Sequence, residues 1–206
     1  MNLKSLCLKY NIDVQGIIQV GASTGQELDE FLSLNPKRIL LIEPLPQSME
    51  ELRNKVESYP HITVVEKAIT NFNGTASFTI TNNLWSSSLL PLSLHKIEFP
   101  SIKKVKEIKV VCSKLDTLLQ ELVLRPSDFN LLYVDVQGAE LLVLKGATEA
   151  LTHIEAIHIE ANYKEMYKGC VLEPDLTKFL QDKGFKKMET SIRKFQQNNI
   201  FYARMH

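Results

Sequence analysis

Residues 130–147 read NLLYVDVQGAELLVLKGA. The run from Asn130 to Val136 has strand length and no polar alternation, the mark of a strand covered on both faces. Asp135 stands near its end, Gly138 permits a sharp turn, and Glu140 to Ala150 carries apolar residues at helical spacing. Glu140 falls in the first turn of that helix, where the positive end of the helix dipole favours a carboxylate. A buried strand that turns through glycine into a helix is the repeating unit of a parallel sheet with crossover helices, so the fold class is α/β.

The flanking chain repeats the unit. Upstream, Gly16 to Val20 reads as a buried strand, Gln26 to Leu34 as a helix and Arg38 to Ile42 as a second strand. Pro46 to Val56 reads as a helix, with Ser48 and Glu51 at capping-box spacing, and Ile62 to Val65 as a third strand. Asn71 to Gly74 has turn chemistry and leads into the alternating stretch Thr75 to Ile80, expected as an antiparallel addition. Asn82 to Lys106 has no sustained period and exceeds a typical connection, so it is expected to be a lid or acceptor-site segment. Glu107 to Cys112 regains strand character, and Lys114 to Leu122 looks helical. Downstream, His153 to Glu160 is a further strand and Pro174 to Lys183 a helix closed by Gly184. Lys186 to Ile192 and Ile200 to Arg204 follow as strands with no helix between them, joined by Gln196 to Asn199. The sheet is therefore expected to be mostly parallel with a C-terminal antiparallel hairpin. No repeat or linker divides residues 1–206, which read as one domain.

Composition excludes several function classes. Hydrophobic residues make up 44% and charged residues 23%, the balance of a globular chain, and Lys+Arg and Asp+Glu both total 24. Nothing in that balance points to nucleic acid or an anionic membrane. Lys103, Lys104, Lys106 and Lys109 form a local basic run, but Glu98 and Glu107 interrupt it. Cys7, Cys112 and Cys170 are odd in number and form no C-x-x-C pair, so they read as reduced thiols. The first residues, MNLKSLCLKYNID, are too broken by lysine for a secretory signal, and the expected compartment is the cytoplasm.

Three constellations carry chemistry. Gly21-Ala22-Ser23-Thr24-Gly25 joins a strand to a helix, where backbone N–H groups can approach an anion closely. Its spacing is neither the G-x-G-x-x-G of dinucleotide sites nor a P-loop. Glu43 ends the second strand before Pro44, a place from which one carboxylate can accept hydrogen bonds from two vicinal ribose hydroxyls. Asp135 ends the buried strand beside the glycine loop, in the crevice where open sheets bind ligands. Glu160 ends the next strand, and His158 lies two residues earlier on the same face. Trp85, Ser87 and His95 sit in the long segment and are candidates for an acceptor wall. The Trp85 face could attract a cation. No tight acidic cluster demands a metal ion.

Beyond these constellations, YVDVQGAELLVLKGA resembles the hallmark I-D-V-x-G-A-E-x-x-V-L-x-G-A of the FkbM-like methyltransferases. VGASTG, IEPLPQSMEEL, AITNFNGTASF and SKLDTLL match the family in order, so the resemblance runs from about Ile17 to Phe185. It implies a Rossmann-like class I methyltransferase fold, S-adenosylmethionine (SAM) as cofactor, and an acceptor hydroxyl on a sugar, glycan or natural product. By the same resemblance Gly21, Ala22, Ser23 and Gly25 would cradle the methionine end of SAM, Glu43 its ribose, and Ala68 and Ile69 its adenine. Asp135 would face the methyl group. Two positions depart from the family: Gln19 stands where an Asp is common, and Tyr133 where a Lys is.

An alcohol is a weak nucleophile, so methyl transfer to it calls for alignment and a general base, for which Asp135, Glu160, His158 and His95 are candidates. Three activities stay compatible with these residues: a SAM-dependent O-methyltransferase, an NAD(P)-dependent oxidoreductase on a similar sheet, and a catalytically silent module that binds SAM or another nucleoside.

Overall fold

The computed structural model describes residues 1–192 and 197–204. Its centre is a seven-stranded sheet built from β1 (Gly16–Val20), β2 (Arg38–Ile42), β3 (Ile62–Val65), β7 (Leu131–Val134), β8 (Ala156–Asn162), β9 (Phe185–Ile192) and β10 (Gln197–Arg204). The strand order is β3-β2-β1-β7-β8-β10-β9. All pairings from β3 to β8 are parallel, whereas β10 runs antiparallel to both β8 and β9. The expected terminal hairpin is thus present. Of its expected connection, Gln197 to Asn199 already belong to β10, and Gln196 lies outside the described residues.

The central strands β1, β2, β7 and β8 are buried because both faces are covered, as their apolar runs require. On one face Ile18, Leu40, Leu132 and Ile157 pack with residues of α5 (Leu115–Glu121), α6 (Glu140–Lys145) and α8 (Glu173–Asp182). On the other, Ile17, Leu41, Leu131 and Phe201 pack with α1 (Leu3–Lys9), α2 (Leu28–Leu32) and α3 (Pro46–Val56). All three cysteines are unpaired and buried. Among the described residues no helix is long and apolar enough to cross a membrane.

A second, three-stranded sheet of order β4-β6-β5 comprises β4 (Ala68–Ile69), β5 (Gly74–Thr81) and β6 (Lys104–Ser113). The stretch Thr75 to Ile80 is antiparallel as expected, but to β6 in this separate sheet. The long segment is less irregular than its composition suggests, since it holds a 3-10 turn at Leu84–Ser86, the short helix α4 (His95–Glu98) and the start of β6.

Three helical expectations are corrected. The helix placed over Gln26 to Leu34 is only Leu28–Leu32. The expected helix from Glu140 to Ala150 breaks at Gly146 and resumes as α7 (Ala150–His153). Gly146 packs so closely on the Thr70 carbonyl that a Cβ would lie 2.0 Å from its oxygen. The restart is capped from afar, the Asp116 carboxylate accepting the Glu149 and Ala150 N–H groups at 2.9 Å. The capping box at Ser48 is also absent. Leu45 is the N-cap and Pro46 takes the first helical position, where its missing N–H costs nothing.

Candidate functional site

Val20, Ile42 and Val134 lie side by side in register, so the loops that follow β1, β2 and β7 leave the sheet at one place. Strand order reverses there, and open sheets form their ligand crevice at such a point. The crevice is a cavity of about 280 Å³ whose lining includes Gly21, Ser23, Glu43, Ala68, Ile69 and Asp135. All six are site residues expected from the sequence; Ala22 and Gly25, also expected, are not in the lining. Trp85 and Ser87 line it from the long segment. Trp85 is 65% exposed, whereas Ser87 is buried and its hydroxyl accepts the Thr81 N–H at 3.1 Å.

The glycine loop is stitched to the end of β2. The N–H groups of Gly21 and Ala22 both donate to the Ile42 carbonyl, at 2.9 and 3.0 Å, and the Ser23 N–H donates to Glu43 Oε2 at 2.9 Å. These donors are therefore spent inside the protein, and the N–H cradle for an anion expected of this loop is not formed by them. That is a poor receptor for a pyrophosphate. What the loop offers is shape: Gly21 has φ +85°, and a Cβ there would lie 1.9 Å from the Asp135 carbonyl oxygen.

Glu43 is buried, and its Oε1 accepts the Leu45 N–H at 2.9 Å. Burial pushes its carboxyl up to about 7, although the two backbone N–H groups oppose that rise. Each oxygen keeps acceptor capacity towards the cavity, since a carboxylate has about four lone-pair sites.

Asp135 and Gln137 line the cavity beside the glycine loop. Gln137 carries no sequence signal of its own, yet it ties the candidate residues together. Its Nε2 donates to Asp135 Oδ1 at 2.7 Å and to Glu160 Oε2 at 2.8 Å, and its Oε1 accepts from the Tyr167 hydroxyl at 2.7 Å. Gln197 also donates to Glu160, at 3.2 Å. Glu160 and His158 are not in the cavity lining. Glu160 is buried one side chain behind it, and His158 is buried with its ring stacked on Tyr133 at 4.3 Å.

His95, whose place in an unpatterned segment suggests a surface residue, is buried. Its ring packs against Phe99 and Tyr167 at 4.8 and 5.3 Å, away from the cavity lining, and burial lowers its basicity.

The two departures from the family pattern have local accounts. Gln19 is buried and donates to Glu27 Oε2 at 2.9 Å, and Tyr133 lies between the His158 ring and an edge contact with Phe31. Tyr133 pairs in register with both Gln19 and His158, so aromatic packing occupies the place of a lysine there.

Comparison with known proteins adds to this geometry. A family model described as a methyltransferase FkbM domain matches residues 19–187. The chain is 30% identical over 161 residues to the 2-O-methyltransferase NoeI of Sinorhizobium fredii, a match covering 74% of this chain and 65% of NoeI. The fold is similar to that of methyltransferase FkbM from Methylobacillus flagellatus, with TM-score 0.61 at 16% identity over 92% of this chain and 44% of the other. It is also similar to magnesium protoporphyrin IX methyltransferase from Synechocystis, a structure with bound SAM, with TM-score 0.53 at 12% identity over 98% and 76% of the two chains. The chain thus spans less than two thirds of NoeI and of the Methylobacillus protein.

Proposed function

The chain belongs to the FkbM family of methyltransferase domains and has the class I SAM methyltransferase fold, and from that premise we propose that it methylates a hydroxyl group on a sugar, glycan or natural product with SAM. The observation that carries the reading is the shared cavity of Glu43, the Gly21 loop and Asp135. The residues suit a nucleoside with a zwitterionic tail better than a dinucleotide. Glu43 offers acceptors for ribose hydroxyls, Ala68 and Ile69 offer apolar walls for a base, and the Gly21, Ala22 and Ser23 amides are not free for phosphates. That NoeI is a 2-O-methyltransferase supports oxygen as the acceptor atom.

Bound SAM supplies a methyl group on a sulfonium, which is already a good leaving group. The protein's share is alignment, exclusion of water and management of one proton. Asp135, on the cavity wall, would accept the acceptor hydroxyl's proton as the oxygen–carbon bond forms and the donor's carbon–sulfur bond breaks, the sulfur leaving as a neutral thioether. Glu160, behind it, is assigned to positioning, and His158 to packing in the sheet. Trp85 and Ser87 form the outer wall, and the 82–106 segment acts as the lid.

Glu43→Ala is expected to weaken SAM binding by about 1.5–3 kcal/mol, the range for a hydrogen bond to a charged group, while circular dichroism stays native; unchanged affinity sinks the ribose assignment. Ribose donors favour the ionised carboxylate, so affinity falls as pH drops below about 7, and binding near that pH releases a proton. Calorimetry in two buffers of different ionisation enthalpy reads that release, which Glu43→Gln abolishes.

For the lid, hydrogen exchange in residues 82–106 is expected to slow when SAM is added. Equal exchange with and without ligand removes it.

A further inference from the structure

Gln137 occupies backbone that favours glycine, with φ +55°. Its side chain nonetheless makes three of the four hydrogen bonds an amide can make. Both Nε2 hydrogens are used, one on Asp135 and one on Glu160, and Oε1 takes the Tyr167 hydroxyl. The partners set which way the amide points: carboxylate oxygens accept from Nε2, and the phenol donates to Oε1. Burial raises the Tyr167 phenol well above its ordinary range, so Tyr167 remains a donor. Tyr167 also lies 3.3 Å from the Ser86 carbonyl, and the Ser88 hydroxyl donates to the Gln137 carbonyl at 2.7 Å. The backbone of Gln137 is thus fastened to the segment that carries Trp85, and the Tyr167 hydroxyl that holds its side chain lies beside that segment.

We propose that Gln137 is a positioning residue: its amide holds the Asp135 carboxylate in its reacting orientation, braced on Glu160 and locked by Tyr167. The inference rests on the methyltransferase reading of the site. A neutral amide is the group that fits, since it offers two donors to two carboxylates and one acceptor to a phenol. Glutamate would set three carboxyl groups together, and a lysine would leave Tyr167 without its acceptor. Because Tyr167 acts through Gln137, the two side chains form one device and are not independent supports.

The test is a double-mutant cycle on an acceptor found by screening hydroxylated sugars and glycosides with labelled SAM. Gln137→Met keeps the length of the side chain and removes its donors. It is expected to lower kcat about 10²-fold, the cost of a small misplacement of a reacting group, with acceptor KM and SAM affinity within about threefold of wild type. Tyr167→Phe lowers kcat about tenfold alone and costs nothing further when added to Gln137→Met. Losses that multiply, or full activity in Gln137→Met, overturn the proposal.

A second readout is independent of turnover. In nuclear magnetic resonance the Gln137 side-chain amide protons exchange slowly in the wild type and fast in Tyr167→Phe, and equal exchange in the two also overturns it. Should Gln137→Met fail to fold, Tyr167→Phe and the amide signals still decide. A wild type that binds no SAM refutes the reading of the site instead, and the amide exchange then judges the device separately.

Discussion

Asp135→Asn is expected to lower the rate of methyl transfer about 10²-fold or more, the usual effect of removing a positioned base. The substitution is informative because it changes so little else. The asparagine oxygen can still accept the hydrogen bond that Gln137 Nε2 gives to Oδ1 at 2.7 Å, and the backbone N–H at 135 still donates to the Val20 carbonyl at 3.0 Å. What is lost is the negative charge on the cavity wall. Turnover with labelled SAM, compared with the melting temperature, separates chemistry from folding. A folded Asp135→Asn protein with full activity removes Asp135 from the mechanism. Glu160→Gln, acting one side chain further back, is expected to cost less than Asp135→Asn, and a larger loss would move the base to Glu160.

Gly21→Ala is expected to have the largest effect on stability, more than about 4 kcal/mol, because it combines a left-handed backbone with a severe clash. The added Cβ would meet the Asp135 carbonyl oxygen at 1.9 Å with φ +85°. Neither side can give way easily, since the Gly21 N–H is bound to Ile42 and the Asp135 N–H to Val20. For a chain of this size the loss corresponds to a fall of about 10 °C or more in melting temperature. Gly25→Ala is the control. Its φ is also positive at +72°, but its Cβ would meet the end of the flexible Leu52 side chain at 2.8 Å, so a smaller loss is expected. A Gly21→Ala protein that melts with the wild type contradicts the close approach of β1 and β7 loops on which the cavity depends.

Much of the sheet is legible in the sequence because its strands are covered on both faces. Leu131 to Val134 and Arg38 to Ile42 need no partner to be recognised, as an apolar run bounded by turn residues suffices. Glu43 and Asp135 are legible for the same reason, since each stands at the end of such a run. What escapes the sequence is decided by distant contacts. The break at Gly146 depends on the Thr70 carbonyl and on a cap from Asp116, more than thirty residues away. The buried state of His95 depends on Tyr167, and the importance of Gln137 on Tyr167, Glu160 and Ser88. No local pattern distinguishes Gln137 from any other polar residue in a turn, and only the left-handed φ that it shares with the following glycine marks its place.

The claim that this cavity receives SAM is tested most directly by calorimetry of the purified chain against SAM, its demethylated product and NAD in parallel. The account predicts binding of SAM and of the product at one site per chain, with both weakened in Glu43→Ala, and no binding of NAD. Binding of NAD without SAM would contradict it.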